Sequence, residues 1–316
     1  MATYKEIHGV KVQYRESDAT AVEGDVWYNA STGKLKMYAA AGSWATGGTL
    51  NTARGLMGAA GTQTAGLGFG GNTSPVTANS EEYDGSSWAE GDNLNGARSQ
   101  LGGAGTQTAA VGFSGSPSPL AADSEEYNGT SWTEGNDMNT GRRNGAEAGT
   151  QTAAMAITGG SPVVTNVEHY NGTSWSEGTD VNTARFVLPG CGTNTAAIIS
   201  GGNPNLAVTE SYDGSSWTEV ADLNTGRSDC GMAGTSAKAV IFGGSNASGT
   251  YSVNGETWDG SAWTETADLS TAIYQNIGAG TSTLALSIGG TVNPSTLSNL
   301  VSEWSFSASV ETVSFD

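Results

Sequence analysis

The chain has 316 residues, 47 of them glycine and nine tryptophan, and a formal net charge of −19. A chain this acidic repels phosphate backbones and anionic bilayers, which argues against nucleic-acid binding and electrostatic membrane docking. Glycine, threonine and aromatics with few charges describe short strands joined by tight turns rather than a disordered linker.

The first 36 residues are electrically balanced, with five Lys/Arg against five Asp/Glu, so the acidic excess lies entirely on residues 37–316. Met1-Ala-Thr-Tyr-Lys-Glu-Ile7 lacks the apolar core of a secretion signal, and no apolar run is long enough to span a bilayer. Ile7, Val10, Val12 and Tyr14 suggest a strand, and Gly24 to Tyr38 reads as a hairpin turning across Asn29–Gly33. The Trp27-Tyr-Asn29…Gly33-Lys-Leu35 pattern is similar to an element frequent in bacteriophage tail and structural proteins. The resemblance implies an attachment or oligomerising module over residues 1–35; an extra hairpin capping the body is the alternative.

From residue 36 onward a repeat organises the chain. One element reads Leu50-Asn-Thr-Ala-Arg54, then recurs ending in Arg98, Arg142, Arg185 and Arg227; a sixth copy, Leu269 to Ile273, lacks the Arg. A second element is a hairpin: Tyr83-Asp-Gly-Ser-Ser-Trp88, then Tyr127 to Trp132, Tyr170 to Trp175, Tyr212 to Trp217 and Trp258 to Trp263. Successive hairpin tryptophans from Trp44 to Trp263 lie 44, 44, 43, 42 and 46 residues apart. No segment carries a sustained 3.6-residue stripe, which excludes a helical repeat.

Each unit resolves into four strands, a to d. Strand a follows the Arg, strand b runs to a glycine pair, strand c leads into Tyr, and strand d carries Trp. The glycine pairs are Gly70-Gly71, Gly159-Gly160, Gly201-Gly202, Gly243-Gly244 and Gly289-Gly290, with Ser114-Gly115 in the second repeat. Asp-Gly or Asn-Gly between extended arms signals a two-residue hairpin. That turn pairs Tyr83 with Ser86 and Glu81 with Trp88, and puts Tyr and Trp on one face. Strand b is apolar on both faces, as in a sheet packed between two others. Asp137, Asp180 and Asp222 each precede an Arg by five residues and are the expected partners of Arg142, Arg185 and Arg227; carbonyl capping is the other structural role open to these arginines.

Glycine pair, Tyr and Trp, and the small-residue–Arg element resemble the kelch family in kind and order over about residues 36–305. The resemblance implies an all-β fold, a six-bladed kelch-like β-propeller of four-stranded blades over 36–316, sharing its architecture with the central domain of galactose oxidase. The Tyr-to-Trp spacing is shorter than that family's usual one. Residues 269–304, ending in Val301-Ser-Glu-Trp304, supply strands a to c of the last blade; the preferred fourth strand is the N-terminal one around Trp44, with the C-terminal strand alongside.

Catalytic parts are scarce. His8 and His169 are the only histidines, Cys191 and Cys230 have no companion ligands, and nothing matches the copper site of galactose oxidase. The Asp-Gly hairpins depart from the sialidase Asp-box, which separates those residues by one. Glu81, Glu125, Glu168, Glu210 and Glu256 recur blade after blade, whereas catalysis needs one asymmetric constellation. The expectation is therefore no enzyme, no cofactor and no resident metal, with weak Ca²⁺ sites among acidic loops as the alternative to a pure solubility role for the charge. Asn128-Gly-Thr130 and Asn171-Gly-Thr173 match a glycosylation sequon but coincide with hairpin turns.

The b–c connections vary most. They carry Asn72 and Pro75, Pro117 and Leu120, Val163, Asn203 and Asn205, Tyr251, and Asn293. Variable loops on a rigid scaffold are where binding resides. These features point to a virion-surface structural or receptor-binding protein of a bacteriophage, without a signal peptide and made in the host cytoplasm. It would hold other virion proteins or further copies of itself by the N-terminal segment or propeller ends, and a host glycan or protein by the b–c face. A purely architectural virion protein and a cellular kelch adaptor are the alternatives.

Overall fold

The computed structural model describes residues 12–18, 25–117, 122–160, 162–246, 248–293 and 296–313. All regular elements among them are strands. Two compact units emerge: Ser43–Ser305, and Met1–Gly42 together with Phe306–Asp316. The C-terminal residues thus group with the N-terminal segment.

In the larger unit, blade 1 runs Gly58–Thr62, Ala65–Phe69, Ser80–Tyr83 and Trp88–Glu90 from inside outward. Blades 2 to 5 repeat it, with inner strands Gly102–Thr106, Ala146–Thr150, Gly190–Thr193 and Gly231–Gly234. Blade 6 takes Ile277–Gly280, Leu284–Ile288 and the start of Val301–Thr312, and its outermost strand is the end of Lys34–Thr46, which carries Trp44. The six inner strands touch in sequence and the sixth touches the first, so the β-propeller closes, with the N-terminal strand completing the last blade.

Aromatic rings hold neighbouring blades together. Tyr83, Tyr127, Tyr170, Tyr212, Trp258 and Trp304 are buried, as are Trp88, Trp132, Trp175, Trp217 and Trp263; Trp44 is half-buried. Trp132 packs on Phe69 of blade 1 at 4.8 Å, Trp175 on Phe113 of blade 2 at 4.9 Å, and Trp44 on Phe242 of blade 5 at 4.8 Å. Each tyrosine hydroxyl that has a Glu on the preceding blade donates to it: Tyr127 to Glu82, Tyr170 to Glu126, and Tyr83 to Glu303 across the closure.

The hairpin register differs from the expected one. Tyr83 lies directly opposite Trp88, and Tyr127 opposite Trp132. Asp84 Oδ1 accepts from the amides of Ser86 and Ser87, at 2.8 Å each, which widens the turn to four residues. Only Gly85, not Asp84, takes a positive φ, so the side chain does what a second left-handed residue would do in a two-residue turn. Tyr and Trp still share a face. In blade 3 the pair ending strand b is Thr158-Gly159, with Thr158 at φ 55°, rather than Gly159-Gly160.

The second residue of these pairs staples blades together: Gly71 donates to Arg98 O at 2.8 Å, Gly115 to Arg142 O at 2.9 Å, and Gly290 to Arg54 O at 2.8 Å. On the opposite face Gln63, Gln107 and Gln151 donate to carbonyls of the preceding blade, a contact the repeat pattern did not suggest.

The arginines pair with glutamates of strand c, not with the aspartates five residues upstream. Arg54–Glu81 is 2.9 Å, Arg98–Glu125 2.8 Å, Arg142–Glu168 3.1 Å, Arg185–Glu210 2.8 Å and Arg227–Glu256 2.6 Å, all buried. The same carboxylate accepts from the d–a connection: Glu81 takes Asn51 N at 2.7 Å and Thr52 N at 3.3 Å. Asn51 Nδ2 reaches Trp88 O and Arg54 Nη1 reaches Asn79 O, so the carbonyl-capping role is present as well. A buried carboxylate demands several donors, and the connection folded over its own blade supplies them. The local aspartates lie where solvent already satisfies them.

One tryptophan lacks a partner. Trp132 Nε1 donates to Ser80 Oγ, Trp175 to Ser124 Oγ and Trp263 to Thr209 Oγ1, whereas Trp88 Nε1 is buried and unpaired. In blade 6 the position of that hydroxyl is held by Val301, buried beside Trp88. Val301→Thr is expected to supply the acceptor and raise the unfolding free energy by about 0.5–1.5 kcal/mol in chemical denaturation.

In the smaller unit, Gln13–Arg15 pairs in parallel with Val26–Asn29, which pairs antiparallel with the start of Lys34–Thr46. The hairpin is the one expected, closed by Gly33 N to Asn29 O at 2.8 Å. Asp18 Oδ1 accepts from Trp27 Nε1 at 3.1 Å and Asn29 Nδ2 at 2.5 Å, and Arg15 stacks on Trp27. Tyr14 and Tyr28 stack with centroids 5.8 Å apart and remain exposed, as does Val12. Ile7, Val10 and His8 lie outside the described residues.

Candidate functional site

Residues just before each strand a and just after each strand b meet at one end of the blade, as in the bridges Gly55–Asn72, Ser99–Ser116, Arg143–Gly160 and Tyr274–Thr291. The b–c loops and the entry to the central channel therefore share one face. The loop residues singled out from the sequence fare differently there. Pro75, Pro117, Val163 and Asn203 are exposed. Asn72 and Asn205 are half-buried and used locally: Asn72 Oδ1 caps Ser74 N at 2.9 Å, and Asn205 Oδ1 accepts from Ser228 Oγ at 2.9 Å. Tyr251 is not a free loop tip; it stacks on Tyr274 with centroids 4.2 Å apart. Asn293 pairs with Thr296 in a short hairpin, and Leu120 lies outside the described residues.

At the centre of this face is a cavity that the repeat pattern did not reveal. Its rim is the residue two places after each Arg, or after Ile273 in blade 6: Leu56, Gln100, Asn144, Val187, Asp229 and Gln275. All six take left-handed φ values between 51° and 61°. That conformation turns each amide toward the carbonyl of the preceding blade. Gln100 donates to Leu56, Asn144 to Gln100, Val187 to Asn144, Asp229 to Val187, Gln275 to Asp229 and Leu56 to Gln275, at 2.7–3.2 Å. The result is a closed ring of six backbone hydrogen bonds around the channel. An αL residue other than glycine is strained by about 1–2 kcal/mol, and the ring of bonds offsets that strain. Because backbone alone forms the ring, the six side chains vary freely.

Below the rim the channel narrows between inner strands that approach so closely that only small residues fit. A Cβ on Gly278 would lie 2.2 Å from Met232 O, and one on Gly103 2.6 Å from Ala59 O. At the position that Ala59, Gly103, Gly190 and Gly278 hold in four blades, blade 5 carries Met232 and blade 3 carries Glu147. Glu147 lines both the rim cavity, of about 70 Å³, and the cavity toward the opposite face, of about 110 Å³. No hydrogen bond or ion pair to its carboxylate forms among the described residues. Burial pushes its pKa up to about 8. On the rim, burial likewise pushes Asp229 up to about 6, against a hydrogen bond from Ser228. Among the described residues no three His, Cys, Asp or Glu side chains converge as a metal-ligand set.

The sign of the Glu147 effect is testable. The folded chain retains a proton that the unfolded chain releases near the ordinary value of 4.5, so stability falls as pH rises from about 4.5 to 8 and levels above. Glu147→Gln removes this loss. Its melting temperature should match wild type at pH 4 and exceed it at pH 8.5 in a thermal scan.

No protein-family profile matches the chain, and no curated protein matches it. Among solved structures, "Structure of YjhT" superposes with a TM-score of 0.68 at 12% identity, covering 83% of this chain and 99% of that one. At that identity the likeness shows the fold, a β-propeller, and nothing of activity.

Proposed function

We propose that this chain is a kelch-like, non-enzymatic binding protein of a particle surface, a bacteriophage virion component that engages its target through the b–c face. The observation that carries the reading is that asymmetry is greatest on that face. The buried Arg–Glu pair recurs in five of the six blades and the aromatic stack around the ring, while the six rim side chains and the b–c loops differ from blade to blade. A symmetric scaffold with one diversified face is the arrangement of binding loops on rigid supports. The exposed Val12, Tyr14 and Tyr28 of the smaller unit are suited to holding neighbouring virion subunits. A carboxyl shifted by burial, such as Glu147, is also a mark of acid–base sites. It has no hydrogen-bonded partner group, and binding accounts for it as well as catalysis does.

The test has two arms. Proteomics of purified particles should find the chain, and Val163→Glu, at an exposed loop, should reduce adsorption to host cells with the melting temperature unchanged. Presence in particles with adsorption indifferent to Val163, Pro75 and Asn203 substitutions would favour the purely architectural reading. Absence from particles would favour a cellular adaptor.

A further inference from the structure

We propose that the ring has a built-in opening seam between blades 3 and 4, where the propeller parts locally while its other interfaces stay shut. The inference does not depend on what the b–c face binds.

Three recurrent polar contacts tie one blade to the next. The tyrosine hydroxyl, donating to a strand-c glutamate, ties blades 6 and 1 (Tyr83–Glu303), 1 and 2 (Tyr127–Glu82) and 2 and 3 (Tyr170–Glu126). A glutamine side chain ties the same three pairs, through Gln63, Gln107 and Gln151. On the b–c face, the amide just past the end of strand b donates to the carbonyl of the Arg position. Gly71 reaches Arg98 O, Gly115 Arg142 O, Gly202 Arg227 O, Gly244 Ile273 O and Gly290 Arg54 O, at 2.8–2.9 Å. That contact covers every interface except one.

Blades 3 and 4 have none of the three. His169 stands where Glu82 and Glu126 stand in blades 1 and 2; its ring lies 5.9 Å from that of Tyr212, with no hydrogen bond between them. Asn194 takes the glutamine position with a shorter side chain and makes no such bond among the described residues. The missing amide has a structural cause. In blade 3, strands b and c run on as Ala153–Gly159 and Val164–Tyr170, and a register shift sets Gly159 opposite Val164. Gly159 is thereby held in its own blade's hairpin, and no bond to Arg185 O forms. The Arg185 amide makes no bond to blade 3 either, whereas Arg54, Arg98, Arg227 and Ile273 donate theirs to Ser298, Thr77, Leu206 and Ser252 of the preceding blade.

Beyond bonds that every interface shares, Trp217 Nε1 to Thr179 O at 3.0 Å, Thr179 Oγ1 to Ser215 O at 2.9 Å and an apolar cluster join blades 3 and 4. Apolar packing is non-directional, so blades held by it shift before contact is lost. Local opening draws on the least-bonded part of a structure. Here it separates the b–c loops that carry the exposed Val163 and Asn203. Blades 4–5 and 5–6 are intermediate: they keep the glycine amide, with Ser211 and Thr257 in the glutamate position and Ser236 and Ser282 in the glutamine position.

The rim supplies one matched reporter per interface, because each of its amides crosses one. Leu56 N–H reports on blades 6 and 1, Gln100 on 1 and 2, Asn144 on 2 and 3, Val187 on 3 and 4, Asp229 on 4 and 5, and Gln275 on 5 and 6. The Val187 bond, at 2.7 Å, is as short as any of them, so bond length alone does not predict early opening there.

The experiment is native-state hydrogen exchange of the full-length chain, read residue by residue by NMR. Each lost bond changes an opening equilibrium by a factor of about two to ten. Val187 should therefore be the least protected of the six, by about tenfold or more against Leu56, Gln100 and Asn144, with Asp229 and Gln275 between. His169→Glu with Asn194→Gln restores an acceptor for Tyr212 and a longer donor toward blade 3. It should raise Val187 protection by about tenfold and leave Gln100 unchanged. Val187 protection equal to or above that of Gln100 and Asn144 in the wild-type chain overturns the inference, whether or not the double variant folds. An equal rise at all six amides in the variant overturns it as well, since the substitutions would then act on global stability and not on a seam.

Discussion

Replacing Arg185 with methionine lowers the unfolding free energy by about 3–5 kcal/mol in chemical denaturation, and Arg185→Ile with Glu210→Ser recovers much of that loss. Both side chains are buried, and the pair is 2.8 Å apart. Burial pulls the Arg185 guanidinium down and Glu210 pulls it back up, with burial the larger effect. The pair is therefore held by mutual need rather than by net attraction. Removing one partner strands the other's charge away from water. The chain has carried out the double substitution itself: in blade 6 the Arg position is Ile273 and the Glu position, two before Trp304, is Ser302. Both charges vanish together and the blade still forms. What the double variant does not restore are the amides of Asn182 and Thr183, which Glu210 accepts at 2.7 and 3.3 Å. A double-mutant cycle with no coupling between the two positions would mean that the latch is held by those amides alone.

The paired loss in blade 6 was visible in the sequence, yet the partner was misassigned to aspartates five residues away. Local spacing favours a neighbour, whereas Glu81 lies 27 residues from Arg54 and meets it only once strands a to c are stacked. The period, the four strands per unit, the aromatic faces and the closure through Trp44 were legible because each depends on residue types that recur. The hairpin register was not. It depends on whether Asp84 spends its carboxylate on two serine amides, a choice that the dipeptide Asp-Gly leaves open. The channel rim was hidden for a different reason. Its geometry is made by backbone, so Leu56, Gln100, Asn144, Val187, Asp229 and Gln275 share no side-chain feature. A repeat comparison discards such a column as drift, although a variable position next to the most uniform element was the available signal. The b–c loops lie together at one end of the blades, and there Tyr251 stacks on Tyr274 while Asn72 and Asn205 accept local hydrogen bonds.

Trp132→Ala should cost about 3–5 kcal/mol, the loss expected of a buried aromatic at a closed interface. The ring is 5% exposed, lies 4.8 Å from Phe69 on the preceding blade and 5.0 Å from Tyr127 on its own, and its Nε1 holds Ser80 Oγ at 3.0 Å. Truncation opens a cavity between two blades and leaves a buried hydroxyl without its donor. The milder Trp132→Phe separates those effects, because it keeps most of the packing and removes only the N–H. Trp88 provides the internal control: its Nε1 has no partner to lose. Trp88→Phe should therefore be the cheaper substitution, by about 1 kcal/mol, measured as the difference in denaturation midpoints at unchanged slope. Because every blade is held on both sides and the ring has no free end, either truncation should lower the stability of the whole propeller in one cooperative transition. Early melting of a single blade, seen as a separate transition by tryptophan fluorescence, would mean that the interfaces act independently and that ring closure does not couple them.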